Sequence, residues 1–338
     1  MKKIIITLSC LLFLHTGVVY GAGDKKFVIK FATLAPEGTT WLNVMNDLNK
    51  EIQEKSNGRL RFKIYSGGVM GDEKDVIRKM RLGQIQSAGF TGVGLGTILP
   101  EVRIMDLPFL FKDYDEVDYV CNRLYERFST AFEKKGYVLL GWTEVGFVHI
   151  FSRKPIRSLD DMRDVKMWMW QGDPLARAMF DAFNLTPHPL SVTDVLLSLQ
   201  TKLIDTVYIS PLGAIAMQWF TKVKYMSGMP IADAMGGILI TKRFYDKLPA
   251  DLQLILKETV SRHMVRLIDL TRKDNNESIE IMKKRGIKVV PVPDEIEMKR
   301  FLKTGEEVRN KLVNNLYSRE VLNEVLKAID EYRMMKKR

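Results

Sequence analysis

The amino-terminal stretch alternates between two hydrophobic periods, and this alternation constrains the fold more than any single motif. Beginning near Lys25, "KFVIKFATLA" sets apolar side chains at every second position and stops at Pro36 and Gly38. "TTWLNVMNDLNKEIQEKSNG" then places Trp41, Val44, Met45, Leu48 and Ile52 at helical spacing, with Thr39 or Thr40 as N-cap and Asn57-Gly58 as the stop. "RLRFKIYSGG" returns to period two, and "DEKDVIRKMRLGQ" to the helical period between Asp72 and Gly83. Strand, helix, strand, helix predicts an α/β layer with parallel strands.

"IQSAGFTGVGLG" continues as a buried strand entering a glycine-rich turn. Gly92, Gly94 and Gly96 lack the spacing of a dinucleotide fingerprint, and no Gly-Lys-Ser/Thr follows, so a phosphate cradle is disfavoured. These glycines are expected to let the backbone turn sharply or approach a ligand. A loop with Pro108 leads to a helix ending at Gly136. The strand "YVLLGWTEVGFVHIFSRKP", broken by Gly141 and Gly146, exceeds the usual strand length and is expected to serve two sheets. A second unit begins near Lys154: a helix start at "SLDDM", the strand "VKMWMW", a helix over 174–184, a loop with His188, and a helix capped by Thr193-Asp194. Long amphipathic helices follow, with Leu252, Leu254, Ile255, Val260 and Met264 near helical spacing. Those from about Val308 to Tyr332 are expected to pack on the first unit or to pair with another copy as a dimer.

The 338 residues, 46% of them hydrophobic, suffice for about two domains. Lys2 and Lys3, the apolar run from Ile4 to about Leu14, and small residues at 21–23 predict a secretory signal peptide over 1–23 and export to the periplasm. Losing that leader takes the net charge from +11 to +9. The remaining basic excess is interspersed with acids on helices, which argues for solvated faces and against nucleic acid. Cys10 would leave with the leader and is a poor lipidation site, so Cys121 stands alone and reads as a small buried hydrophobe. His149, His188 and His263 share no metal-ligand spacing, and no catalytic constellation or cofactor motif is visible. An exported α/β chain without visible chemistry points to carrying a ligand, not to an enzyme.

"FATLAPEGTTW", "YSGGVMGDEKDVIRKMRLGQI", "LPFLFKDYDE", "GWTEVGF", "SRKPIRSLDDMRDVKM", "LSVTDVLLSLQTKLID" and "LPADLQ" occur in an order that resembles the substrate-binding subunit of a TRAP (tripartite ATP-independent periplasmic) transporter, over nearly the whole mature chain. The resemblance implies a two-lobed periplasmic solute-binding protein, each lobe a sheet flanked by helices, with crossing strands and a long hinge-spanning helix. It closes on a small ligand and delivers it to membrane permease subunits driven by an ion gradient. Lobe I is expected over 24–146 plus about 235–275, lobe II over 147–234 plus about 276–305, and a helical extension over about 306–338.

Members that carry organic acids place an arginine where this chain has Trp168, and often a second where it has Val148; a family asparagine before a proline matches Ser210. A carboxylate shut in a dry cleft without a paired cation is strongly disfavoured. The resemblance therefore implies a neutral, aromatic or lipophilic ligand, with Phe90, Phe147, Val148, Trp168, Trp170 and Tyr208 as apolar lining and Thr33, Thr91 and Ser210 as polar handles. For Trp170 cleft and core stay equally open. Two alternatives remain: an organic-acid receptor whose arginine has moved, for example to Arg103 or Arg153, and a ligand-sensing receptor for a signalling partner.

Overall fold

The computed structural model describes residues 25–336, so the signal peptide, Cys10 and His15 lie outside the described residues. The first predicted units form as expected: β1 (Phe27–Ala32), α1 (Thr40–Lys55), β2 (Leu60–Tyr65), α2 (Glu73–Arg81) and β3 (Ser87–Thr91). Thr39 and Asp72 cap the two helices by accepting from Leu42 N and Glu73 N, and Asn57 and Gly58 end α1 with positive φ. β1 pairs in parallel with both β2 and β3.

The glycine-rich segment departs from expectation, because it forms a short helix, α3 (Gly92–Ile98), capped by Thr91. A Cβ on Gly92 would collide with the Asp106 carboxylate at 1.7 Å, and one on Gly96 with the Arg103 stem at 2.4 Å. The glycines thus admit the following 3-10 helix, Pro100–Asp106, against α3. Their close approach is to the protein itself.

α4 (Tyr114–Lys134) precedes the long strand β4 (Tyr137–Ser152). The second unit then contains β5 (Trp168–Trp170), α5 (Pro174–Ala182), β6 (His188–Leu190), α6 (Val195–Gln200), β7 (Thr206–Ile209), α7 (Pro211–Ala216) and β8 (Tyr225–Ser227). His188, expected in a loop, begins a strand, and "SLDDM" leads into a 3-10 helix over Asp160–Asp164. β9 (Ala232–Thr241), α8 (Lys242–Tyr245), α9 (Ala250–Lys284), β10 (Lys288–Val290), α10 (Glu295–Lys311) and α11 (Arg319–Lys336) complete the described chain.

β4 does serve two groups of strands. It runs antiparallel to β9 from Tyr137 to Val148 and to β7 from His149 to Ser152, and it also pairs with β8. Register shifts fall at Leu139/Gly141 and Glu144/Gly146, and Gly146 takes φ of +97°, which a side chain would resist. The order β10-β8-β4-β9-β3-β1-β2, with β7 also on β4, makes one mixed sheet, because β9 runs antiparallel to both of its neighbours, β3 and β4.

Alternation on β9 sends Ile238 and Ile240 into a core with α1 and the first half of α9, and Met235 and Leu239 into a core with α2 to α4 and α11. Two further apolar clusters gather around β5 and β7, with Trp168 and Trp170 in one and Met167 and Met169 in the other. α9 spans the molecule, burying Leu252 to Leu267 in the α1 core and Met282 in the Trp168 cluster. Its 35 residues extend about 50 Å at the usual helical rise. Leu254, expected on its apolar face, is exposed.

The carboxy-terminal helices expected from about Val308 to Tyr332 are the end of α10 and α11, separated at 312–318. α10 packs on α5 through Phe301, while α11 buries Val321, Leu322, Val325 and Ile329 beside α4. No helix among the described residues is long and apolar enough to cross a membrane.

Candidate ligand site

One cavity of about 270 Å³ collects side chains from the segment after β1 and from β3, β4, β5, α5, β7 and β9. Eight of the nine residues singled out from sequence line it: Thr33, Phe90, Thr91, Val148, Trp168, Trp170, Tyr208 and Ser210. Phe147 does not, since its ring packs on Tyr114 with centroids 4.7 Å apart.

Trp168 is the centre of an aromatic group. Its indole stacks on Tyr208 at 4.9 Å, meets Trp219 edge-on at 5.2 Å and lies 5.9 Å from Trp170. Its N–H donates to the Leu190 carbonyl at 3.1 Å. With its one donor engaged and 2% of its surface exposed, Trp168 offers the cavity only an apolar face. Trp170 both packs in this cluster and lines the cavity, donating its indole N–H to Asp72 at 3.1 Å, while its backbone N–H donates to the Tyr208 hydroxyl. Met162, Met167, Phe180, Phe183, Ile231 and Phe301 extend the apolar wall into the neighbouring cluster.

The three polar handles already have local partners. Thr33 Oγ1 accepts from Ala35 N, Ser210 Oγ accepts from Gly213 N, and Thr91 Oγ1 accepts from Val93 N while donating to Glu73.

Sequence reasoning passed over most of the cavity's ionisable groups. Glu73, Asp106, Glu144, Asp173 and Asp233 line it, and Arg103 is the one basic side chain among its described lining residues. Arg103 donates from Nη1 and Nη2 to the two Asp173 oxygens at 2.9 and 3.1 Å. Its Nε lies 2.8 Å from Asp106 Oδ2, an ion-pair contact without hydrogen-bond alignment. Burial pulls the Arg103 pKa down, but the flanking carboxylates of Asp173 and Asp106 outweigh it and hold the guanidinium charged. Arg153, the other arginine considered, lies away from the cavity and donates to the carbonyls of Lys222 and Leu199.

Burial pushes Glu73 up to about 8, against the pull of the Thr91 backbone and hydroxyl donors at 2.6 and 3.0 Å. Burial also raises Asp106 to about 6, opposed by Arg103 and by Met235 N, which donates to it at 2.9 Å. Glu144 is raised by burial too, and the Arg272 guanidinium, shared with Asp118, draws it back. The signals that could have found these residues were weak: Glu73 reads as a first-turn helix acid, and Asp173 as an N-cap, which it also is, accepting from Leu175 N.

Several bonds tie residues 72–106 to residues 170–192 around the cavity. Besides Arg103 to Asp173, Asp72 accepts from the Trp170 indole and the Ser191 hydroxyl, and Lys74 donates to the Gln171 carbonyl at 2.8 Å.

Residues 31–315 match the bacterial extracellular solute-binding protein family 7. The chain belongs to that family. The receptor is 24% identical over 290 residues to the 2,3-diketo-L-gulonate-binding periplasmic protein of Escherichia coli K12, with 85% of each chain covered. It superposes with a TM-score of 0.82 on a TRAP periplasmic solute-binding protein from Pseudomonas putida F1 with bound D-glucuronate, at 25% identity, over 90% of this chain and 97% of that one. The sugar acid binding protein of Advenella mimigardefordensis, in complex with galactonate, shares the two-lobed fold at a TM-score of 0.85 and 19% identity, over 91% and 99%. The receptor is thus a TRAP-type solute-binding subunit and not an enzyme; such subunits bind small ligands and work with membrane permease subunits.

Proposed function

We propose that this receptor is exported to the periplasm, closes on an aromatic or lipophilic ligand, and hands it to an ion-gradient-driven permease. The observation that carries this reading is the state of Arg103. The one basic side chain among the cavity's described lining residues is held bidentately by Asp173, and the rest of the wall is mainly Trp, Phe, Met and aliphatic carbon. A carboxylate ligand would have to displace Asp173 or sit without a cation, and a buried unpaired charge costs several kcal/mol. Indole, phenyl and thioether surfaces instead gain about 25 cal/mol for each Å² of apolar ligand area they cover.

In this reading lobe I comprises 24–146 and about 235–275, and lobe II 147–234 and about 276–305. α10 begins before 306, so the carboxy-terminal extension is better confined to α11. The bonds from Arg103, Asp72 and Lys74 then cross between lobes, which makes this conformation the closed one. Hinge closure with ligand between the lobes follows.

A second reading has a specific observation in its favour. Arg103 does reach the cavity wall, and the solved relatives named above hold D-glucuronate and galactonate. An organic acid would then take the place of Asp173 on Arg103. Native mass spectrometry of receptor purified without added ligand separates the two. A co-purifying apolar compound without a carboxylate supports the first reading, whereas a bound carboxylic acid that is lost in Arg103→Met supports the second and ends the first.

A further inference from the structure

One side chain in the cavity wall is left without any partner. Both carboxylate oxygens of Asp233 are buried and make no hydrogen bond within the protein, although the residue is 1% exposed and lines the cavity. Asp233 sits at the start of β9, opposite Phe147 of β4. The ionisable groups around it are mostly acidic: Glu144 from β4, Asp106 from the 3-10 helix after α3, and Tyr114, Asp118 and Cys121 from α4. The nearby cation, Arg272 of α9, is already committed to Glu144 and Asp118. The hydroxyl of Thr271, also on α9, is a second buried orphan in the same wall.

A buried carboxyl without a donor is unfavourable, and one surrounded by other carboxyls is more so. A neutral guest lacking donors would leave it so. An acid would add another negative group. A cation would satisfy Asp233 and be attracted by Asp106 and Glu144 at the same time.

We propose that the ligand of this receptor carries a protonated amine at one end of its apolar body, and that the ammonium donates to Asp233. The proposal rests on the apolar-ligand reading above and changes its head group from neutral to cationic. Burial, with Glu144 and Asp106 adding to it and Arg272 opposing, holds the Asp233 carboxyl well above the usual range. A carboxyl raised in this way holds a proton more readily in the empty receptor than beside an ammonium, so amine binding favours release of that proton. Because a proton leaves, affinity for an amine rises with pH until the carboxyl of the empty receptor ionises unaided.

The experiment is isothermal titration of the full mature receptor with three probes of one shape: 2-phenylethylamine, 2-phenylethanol and 3-phenylpropionate. The amine should bind roughly tenfold or more tighter than the alcohol, a difference that Asp233→Asn should erase. Amine titrations in two buffers of different ionisation enthalpy should show proton release by the wild-type receptor, a readout that stands even where Asp233→Asn fails to fold. Equal affinity for amine and alcohol, or amine binding with no proton released, overturns the amine assignment and leaves the apolar-ligand reading in place. Tightest binding by 3-phenylpropionate overturns both. Binding of the alcohol alone ends the amine assignment and supports the apolar reading; binding of none of the three ends the amine assignment.

Discussion

Replacing Asp173 by asparagine tests how firmly the receptor withholds Arg103 from its cavity. Arg103 and Asp173 expose only 6% and 3% of their side chains, so the pair is fully desolvated. Removing one partner of such a pair typically costs about 3–5 kcal/mol, because the remaining charge stays buried. Two features place Asp173→Asn near the lower end. Asp106 remains beside Nε at 2.8 Å, and asparagine caps a helix as well as aspartate does, so the bond from Leu175 N survives and the loss of about 1 kcal/mol expected for a missing cap is avoided. The expected loss is therefore about 3 kcal/mol, read by urea denaturation followed by tryptophan fluorescence. The same change puts an amide NH2 in place of the Oδ2 that accepts from Nη2 and so frees that guanidinium N–H toward the cavity, so 3-phenylpropionate should stabilise the variant, by about 2.7 kcal/mol at a hundred times its dissociation constant. It should leave the wild-type midpoint unmoved. A loss below about 1 kcal/mol, or equal stabilisation of both proteins by the acid, would refute the claim that Asp173 sequesters Arg103.

Trp168→Ala should destabilise the receptor by about 3–5 kcal/mol, since the indole is fully buried among Tyr208, Trp170 and Trp219; equilibrium unfolding measures it, and a loss under 1 kcal/mol contradicts the packing. Leu322→Ala on α11 should cost about 2–5 kcal/mol, whereas Leu254→Ala on α9 should stay within about 0.5 kcal/mol, and a reversed order in urea midpoints would contradict the burial of the carboxy-terminal helix. Glu73 carries a folded-state pKa of about 8 against an ordinary 4.5, so the native state binds the extra proton and stability is full below pH 4.5 and falls as pH rises toward 8. Glu73→Gln should flatten that fall in melting scans across the same window, and a variant with the wild-type slope would show that Glu73 ionises freely.

The elements set by local chemistry were legible. Alternation in β1 and β2, helical spacing in α1, and the caps at Thr39 and Asp72 each depend on neighbours within a few residues, and each appears where the pattern places it. The overlong β4 and its glycine interruptions were readable for the same reason, since Gly141 and Gly146 mark the two register shifts. α3 was not, because three glycines in seven residues argue against a helix until Asp106, Phe90 and Arg103 are known to press against them. The polar side of the cavity was hidden for a related reason. Nothing in "IADAMGG" distinguishes an aspartate on a solvated turn from one buried beside Glu144, for that contact joins residues far apart in the chain. The family resemblance drew attention to Trp168, where a charge is absent, and could not indicate where new charges had been installed.

The long ladder between β4 and β9, together with the single rod of α9, restricts how the molecule could open. A strut of hydrogen-bonded turns neither stretches nor slides, so the two ends of the sheet cannot separate by translation. Compliance is concentrated at the two bulges, where the ladder slips a residue and Gly146 carries no side chain to resist torsion. The hinge motion proposed above would therefore have the mechanics of a flexure: small angular changes at 139–146, magnified by the length of each arm, would part the rim at Asp72 and Ser191 and leave the floor at β9 nearly in place.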